Sequence, residues 1–186
     1  MIDISKLTYL KEIDRVLNND NIDEMIEKYK MLLQQGPLKI EGHQTPYAFL
    51  KAIKREKLTT GPYPGVSLFE AANRIMSDLV ILYGVKSLLK EEFDGVKFTE
   101  FEVCFGNEDH EPHDVNAKSG EYQLAGEAFN VAESFFYLKK RASLDKLFKK
   151  ETSDKRLMVL LYNDDATKKN FPPDGNLFHW PVSVDL

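Results

Sequence analysis

Asp114 and Glu127 are the two residues of this chain whose types and spacing could act together on one substrate. They flank Ser119-Gly120, a dipeptide suited to the turn of a β-hairpin. A two-residue loop there pairs Lys118 with Glu121, Asn116 with Gln123 and Asp114 with Ala125. The opposite charges of Lys118 and Glu121 support that register. One face of the hairpin then carries Val115, Ala117, Tyr122, Leu124, Gly126 and Ala128, which suits a core. The other carries Asp114, Asn116, Gln123 and Glu127, with the two acids as diagonal neighbours about 7–8 Å apart at the backbone. Two carboxylates so placed can converge on one hard cation. Magnesium takes oxygen ligands, keeps several waters, and is usually bound by one or two carboxylates together with a substrate phosphate. Acids on the open face of a hairpin ordinarily do no more than solvate it. Glu127 differs in its small, apolar setting, between Leu124-Ala125-Gly126 and Ala128-Phe129-Asn130-Val131-Ala132.

Positive charge gathers just beyond this pair. Lys139, Lys140, Arg141, Lys146, Lys149, Lys150, Lys155 and Arg156 stand against Asp145, Glu151 and Asp154. Such a run can hold phosphates, and it can equally be a solvated helix face. The other candidate chemistry is weak. His110-Glu111-Pro112-His113 has no second cluster at zinc spacing, and Pro112 breaks the helix a metalloprotease motif needs, so His113 reads as a solvent-facing loop histidine, with a place near bound phosphate as the alternative. No glycine-rich phosphate cradle and no nucleophile elbow is present, which disfavours nucleotide-dependent and α/β-hydrolase chemistry. The lone Cys104, inside an apolar run, reads as a core thiol in a reducing compartment.

The elements that must position the acids follow from the periodicity. Residues 1–60 read as helical. Asp3 or Ser5 caps a helix with Leu7, Leu10, Ile13 and Leu17 on one face, and Asn18-Asn19-Asp20-Asn21 breaks it. A second helix carries Met25, Ile26, Tyr29, Leu32 and Leu33 up to Gly36-Pro37. A third starts at Thr45-Pro46 and places Phe49, Leu50 and Ile53 together. Thr59-Thr60-Gly61-Pro62-Tyr63-Pro64-Gly65 punctuates the chain. A long helix then runs from about Leu68 to Lys90, capped by the Ser67/Glu70 pair. At Phe98 the period becomes two, and Phe101, Val103 and Phe105 predict a strand. After the hairpin comes a basic helix over about Ala132 to Lys150. Arg156 to Tyr162 follows as a strand buried on both faces, and Leu177 to Val184 as an edge strand holding Pro181. From Ser67 the order is helix, strand, strand, strand, helix, strand.

That order, with an aspartate opening one strand and an acid midway along the next, resembles the PD-(D/E)XK nuclease signature. The stretches His113-Asp114-Val115-Asn116-Ala117 and Gly126-Glu127-Ala128-Phe129-Asn130-Val131-Ala132-Glu133-Ser134-Phe135-Phe136 resemble the catalytic segment of Type IIS restriction enzymes. The superfamily resemblance covers roughly residues 67–162. Length and helical start are similar to the small cleavage subunit of a two-subunit Type IIS enzyme, whose large partner is a site-specific nicking endonuclease. The resemblance implies a restriction-endonuclease-like α/β fold, an αβββαβ mixed sheet flanked by helices, with residues 1–60 as an N-terminal helical extension of a single domain. It implies a magnesium ion on Asp114 and Glu127, and DNA phosphodiester hydrolysis. Phe129 stands where the motif has its lysine, so that role falls to another group, with Lys139 and Lys140 as candidates and Gln123 as a polar neighbour. Glu70 matches the further acid that related nucleases take from the first core helix, although helix capping already accounts for it. Asp78 is a second acid on that helix. Lys139, Lys140 and Arg141 are the expected contacts to the DNA backbone.

Bulk properties bound the partners. At 186 residues, 42% hydrophobic and 30% charged, the composition is that of an ordinary globular chain and long enough for a substantial core. No apolar run reaches about 18 residues and the start lacks a secretory pattern, so a cytoplasmic protein is expected. The net charge of −5 argues against strong DNA binding by the chain alone. Sequence recognition is therefore expected from a larger, nicking subunit in a heterodimer, docked on the helices from Leu7 to Leu33. Two rival classes remain open: an inactive nuclease fold that only binds DNA, suited by Phe129, and a protein-interaction module, suited by the acidic balance.

Overall fold

In the computed structural model, which describes residues 10–34, 45–106, 108, 112–149 and 155–184, the segment where helical spacing predicts a first helix through Leu17 is extended instead. A 3-10 turn at Leu10–Glu12 leads into strand β1, Val16–Asn18. Leu10, Ile13 and Leu17 are buried as expected, but the backbone finds its hydrogen bonds across the sheet, which overrides the weak local preference for helix. Leu7 and the proposed caps Asp3 and Ser5 lie outside the described residues. Helix α1, Ile22–Gln34, buries Ile22, Met25, Ile26 and Tyr29. Its end at Gly36-Pro37 also lies outside the described residues. Helix α2, Pro46–Arg55, starts where Thr45 accepts the Ala48 N–H, with proline in the first turn. Its Leu50 faces solvent, and Ala52 is the residue it buries. Helix α3, Leu68–Leu88, is capped by Ser67, whose hydroxyl accepts the Glu70 N–H.

The strands come next. β2 (Glu92–Phe93) and β3 (Val96–Lys97) form a small hairpin absent from the sequence reading. Its Asp94-Gly95 turn has positive φ at both residues, the signature of the primed turn that suits strand twist. β4 is Glu100–Val103, β5 Val115–Ser119 and β6 Tyr122–Phe129. Helix α4, Phe136–Phe148, then carries the chain back to β7, Arg156–Asn163. β8, Leu177–Val182, ends the sheet.

The six-stranded sheet runs β1-β4-β5-β6-β7-β8 among the described residues. Pairing is antiparallel from β1 to β6 and parallel from β6 to β8. The fold is thus mixed α/β with helices on both faces. α3 covers one face together with Val103, Val115, Ala117, Leu124 and Leu161. α4 covers the other over Ala125, Phe129, Met158 and Leu160. β7 is buried along its whole length, as its apolar run predicts. β8 is the edge strand that tolerates Pro181. No helix among the described residues is long and apolar enough to cross a membrane.

One face of α1 packs into the core, while Met31 on the same helix stays exposed. Its Met25, Ile26 and Tyr29 belong to the same buried cluster as Leu79 and Val103, and β1 hydrogen-bonds to β4.

Candidate functional site

The hairpin sets the site. Gly120 takes a positive φ, and the loop is Gly120-Glu121, not Ser119-Gly120. Ser119 therefore faces Tyr122 and Asn116 faces Ala125. The Lys118–Glu121 pair that suggested the other register does not form; Glu121 pairs with Lys155 instead. The slip preserves which residues share a face, so Asp114 and Glu127 stay on one side. One step beyond the Val115–Gly126 pair, they come directly opposite each other and not diagonally.

Gly126 makes the approach tight. A Cβ there would lie 2.8 Å from Val159 Cγ1 and 3.1 Å from Val115 Cβ, so β6 closes on its neighbours through a missing side chain. The next residue, Glu127, points to the opposite face, beneath α4, and is 2% exposed. The expectation of an open polar face is corrected here: α4 covers that end of it.

A buried carboxylate needs partners, and Glu127 has them on both oxygens. Oε1 lies 3.0 Å from His113 Nδ1, and Oε2 accepts from Lys146 Nζ at 2.8 Å. His113 Nε2 lies 3.1 Å from Arg156 Nη2. A guanidinium only donates, so Nε2 must accept, and the imidazole proton sits on Nδ1, from which it is donated to Glu127. His113 is 5% exposed and so is not the solvent histidine expected. Asp114 Oδ2 accepts the Ala128 N–H at 2.8 Å. Burial, and then the charge of Glu127, push its carboxyl up to about 6, against the pull of the Ala128 N–H, Lys146 and Lys139. Burial works against the Lys146 charge, but the Glu127 hydrogen bond and charge, with Asp114, raise its pKa on balance.

The remaining predicted residues fall elsewhere. Phe129 is buried, its ring 6.0 Å from those of Phe136 and Tyr162. Lys140 turns to the far flank of α4, 3.6 Å from the centre of the Phe171 ring, where burial lowers its pKa against the opposing charge of Asp174. It is Lys146, not Lys140, that reaches the Glu127 carboxylate. Lys139 and Arg141 are exposed on α4. Glu70 lies on α3, across the sheet from the Glu127 side chain, exposed and paired with Arg74. Asp78 is fully buried and accepts from Tyr29 and Tyr63 and from the Gly106 N–H. Gln123 lines a groove of about 670 Å³ with Asn116, Lys118, Glu102, His113 and Arg156, on the part of the polar face that α4 leaves open.

Sequence reasoning missed Lys146, His113 and Arg156 as members of the site. Lys139, Ser143 and Lys146 share one helical stripe, a spacing that could have singled out Lys146. Nothing in the sequence paired Arg156 with His113. Among the described residues no group of three or more His, Cys, Asp or Glu side chains is arranged to hold a metal ion. Asp114 and Glu127 are close enough for the charge of one to raise the carboxyl of the other, a repulsion that magnesium with water completing its shell would relieve, although both Glu127 oxygens already accept from nitrogen donors. No known protein family, no curated protein and no solved structure matches the chain.

Proposed function

We propose that the chain is a metal-dependent endonuclease subunit with a restriction-endonuclease-like core, hydrolysing DNA phosphodiester bonds on one strand as part of a complex with a larger sequence-recognising nicking subunit. The observation that carries this reading is the gathering of Asp114, Glu127 and Lys146. These are two facing acids and an ammonium, on the β5–β6 hairpin and the helix that follows it. Lys146 takes over from α4 the role that Phe129 cannot fill on β6. With the small β2–β3 hairpin set aside as a separate sheet, the order α3, β4 to β6, α4, β7 and the parallel pairing of β6 with β7 support the same core.

A magnesium ion held by the Asp114 and Glu127 carboxylates would supply Lewis-acid stabilisation of phosphate charge and a bound water of lowered pKa. The protein's own groups do the rest. Lys146, a compact point charge with three donors, is placed to orient a water or offset charge on the scissile phosphate. Lys139 and Arg141, exposed on the same helix, hold the strand's backbone without reading sequence.

A second reading has its own support. Both Glu127 oxygens are held by nitrogen donors, as they would be in a purely structural ion pair, so a catalytically inactive nuclease-fold module that binds DNA or protein is the rival. A plasmid-nicking assay in magnesium separates the two when paired with calorimetric titration of magnesium and manganese. The enzyme reading expects cation binding and nicking that disappear in Asp114→Asn. Neither cation binding nor nicking, with the partner subunit supplied, would leave the inactive module.

A further inference from the structure

We propose that His113, locked in one tautomer by Arg156, is a positioning residue that fixes the orientation of Glu127. Resting on the nuclease reading, this assigns a role to the one buried contact of that carboxylate which the chemistry does not otherwise use.

Glu127 has a long side chain and two interchangeable oxygens. Its two partners differ in what they can enforce. The Lys146 side chain is 57% exposed, whereas that of His113 is 4% exposed and held on both ring nitrogens. His113 therefore pins Oε1 from inside and leaves Oε2 turned toward the solvent side, where Lys146 stands. Arg156, at the start of β7 opposite Gln123, has the complementary duty. Without its N–H facing Nε2, the imidazole could place its proton there, and the lone pair of Nδ1 would then face the carboxylate. The backbone is fixed as well, because Asn116 Nδ2 donates to the His113 carbonyl at 3.2 Å. One dipeptide thus supplies an acid, Asp114, and the holder of the other acid, Glu127.

The test uses the full chain with four variants and three kinds of readout. Long-range ¹⁵N–¹H correlation of the imidazole reads the tautomer with no metal or DNA present. The expected result is a proton on Nδ1 in the wild type, lost or mixed in Arg156→Met. In steady-state cleavage, His113→Ala is expected to lower kcat about ten- to hundredfold, and the magnesium affinity measured by calorimetry by a similar factor, with KM for DNA unchanged. His113→Asn, whose amide N–H falls where Nδ1–H was, is expected to recover most of that loss. His113→Gln, which reaches the Nε2 position, is not. A wild-type proton on Nε2, or equal behaviour of the Asn and Gln variants, would overturn the inference even if the alanine variant folds poorly. So would an active wild type indifferent to His113→Ala. A wild type that binds no magnesium and, with the partner subunit supplied, cuts no DNA would overturn both this inference and the nuclease reading, which keeps the two failures apart.

Discussion

Lys146 Nζ and Glu127 Oε2 lie 2.8 Å apart, although one sits near the end of α4 and the other on β6 beneath it. The ion pair ties the crossover helix to the hairpin at the level of Asp114, whose own carboxyl feels both charges. The ammonium of the pair is half exposed while the acid is buried.

Removing that charge should cost turnover more than binding. Lys146→Met is expected to lower single-turnover cleavage on the order of 10²-fold at saturating DNA, the size seen when one preorganised donor to a developing charge is deleted. Lys140→Met, whose ammonium rests on Phe171, should leave that rate near the wild-type value. Rapid-quench measurement of both variants checks the pair. The assignment is wrong if the Lys140 variant is the slower one.

Glu127 should prove structural as well as functional. Truncation to alanine leaves the His113 N–H buried without its acceptor, a loss of about 1–3 kcal/mol for the unmet donor. Glu127→Gln keeps the volume and one carbonyl, so it should fold near normally yet bind no magnesium. Urea unfolding and cation titration of both variants read the two effects separately. Equal stability of the alanine variant and the wild type would contradict the buried pairing.

Asp78 gives the chain a pH dependence of known sign. Burial pushes its carboxyl up to about 7, against the hydrogen bonds from Tyr29, Tyr63 and Gly106. In the unfolded chain an aspartate titrates near about 3.9. Between these values the native protein holds a proton that the unfolded chain has released. The contribution is thus full below about pH 4, falls as pH rises toward 7, and is gone above it. Asp78→Asn should flatten this slope and raise stability at pH 8 relative to the wild type by on the order of 1–3 kcal/mol. Denaturant midpoints at pH 5 and pH 8 decide it, and parallel slopes for the two proteins would refute the assignment.

The purified chain alone should cut DNA weakly and without sequence preference. Its net charge is −5, and specific recognition takes roughly 1,000 Å² or more of protein surface. Adding a larger DNA-reading subunit should bring both affinity and site selection. Gel shifts on matched and scrambled duplexes test this directly. Tight, selective binding by the chain alone would end the dependent-subunit reading.

The parts of the fold most legible in sequence were those carrying a clean period or a cap. Ser67, Thr45-Pro46 and the apolar run from Arg156 each marked its element to within a residue or two. The faces of the hairpin were also readable, because the register slip preserved parity: Asp114 and Glu127 shared a side under either turn. β1 was not readable, since Leu10, Ile13 and Leu17 fit a helix locally and only β4 makes the segment a strand. Of the site, the two acids could be chosen from their setting. His113 and Arg156 could not, because their contacts depend on where β7 lies in three dimensions, and Lys146 was marked only by its helical spacing from Lys139 and Ser143.

The pairing of β1 with β4 also bears on how the chain comes into being. β1 is made early in synthesis, but its hydrogen-bonding partner is not made until all three helices α1 to α3 have been added. The antiparallel edge cannot form by local zippering and must wait for a contact distant in sequence, whose loop-closure entropy slows it. α1, whose apolar stripe buries against the same core, waits with it. β1 therefore cannot take its place in the sheet before β4 has been made.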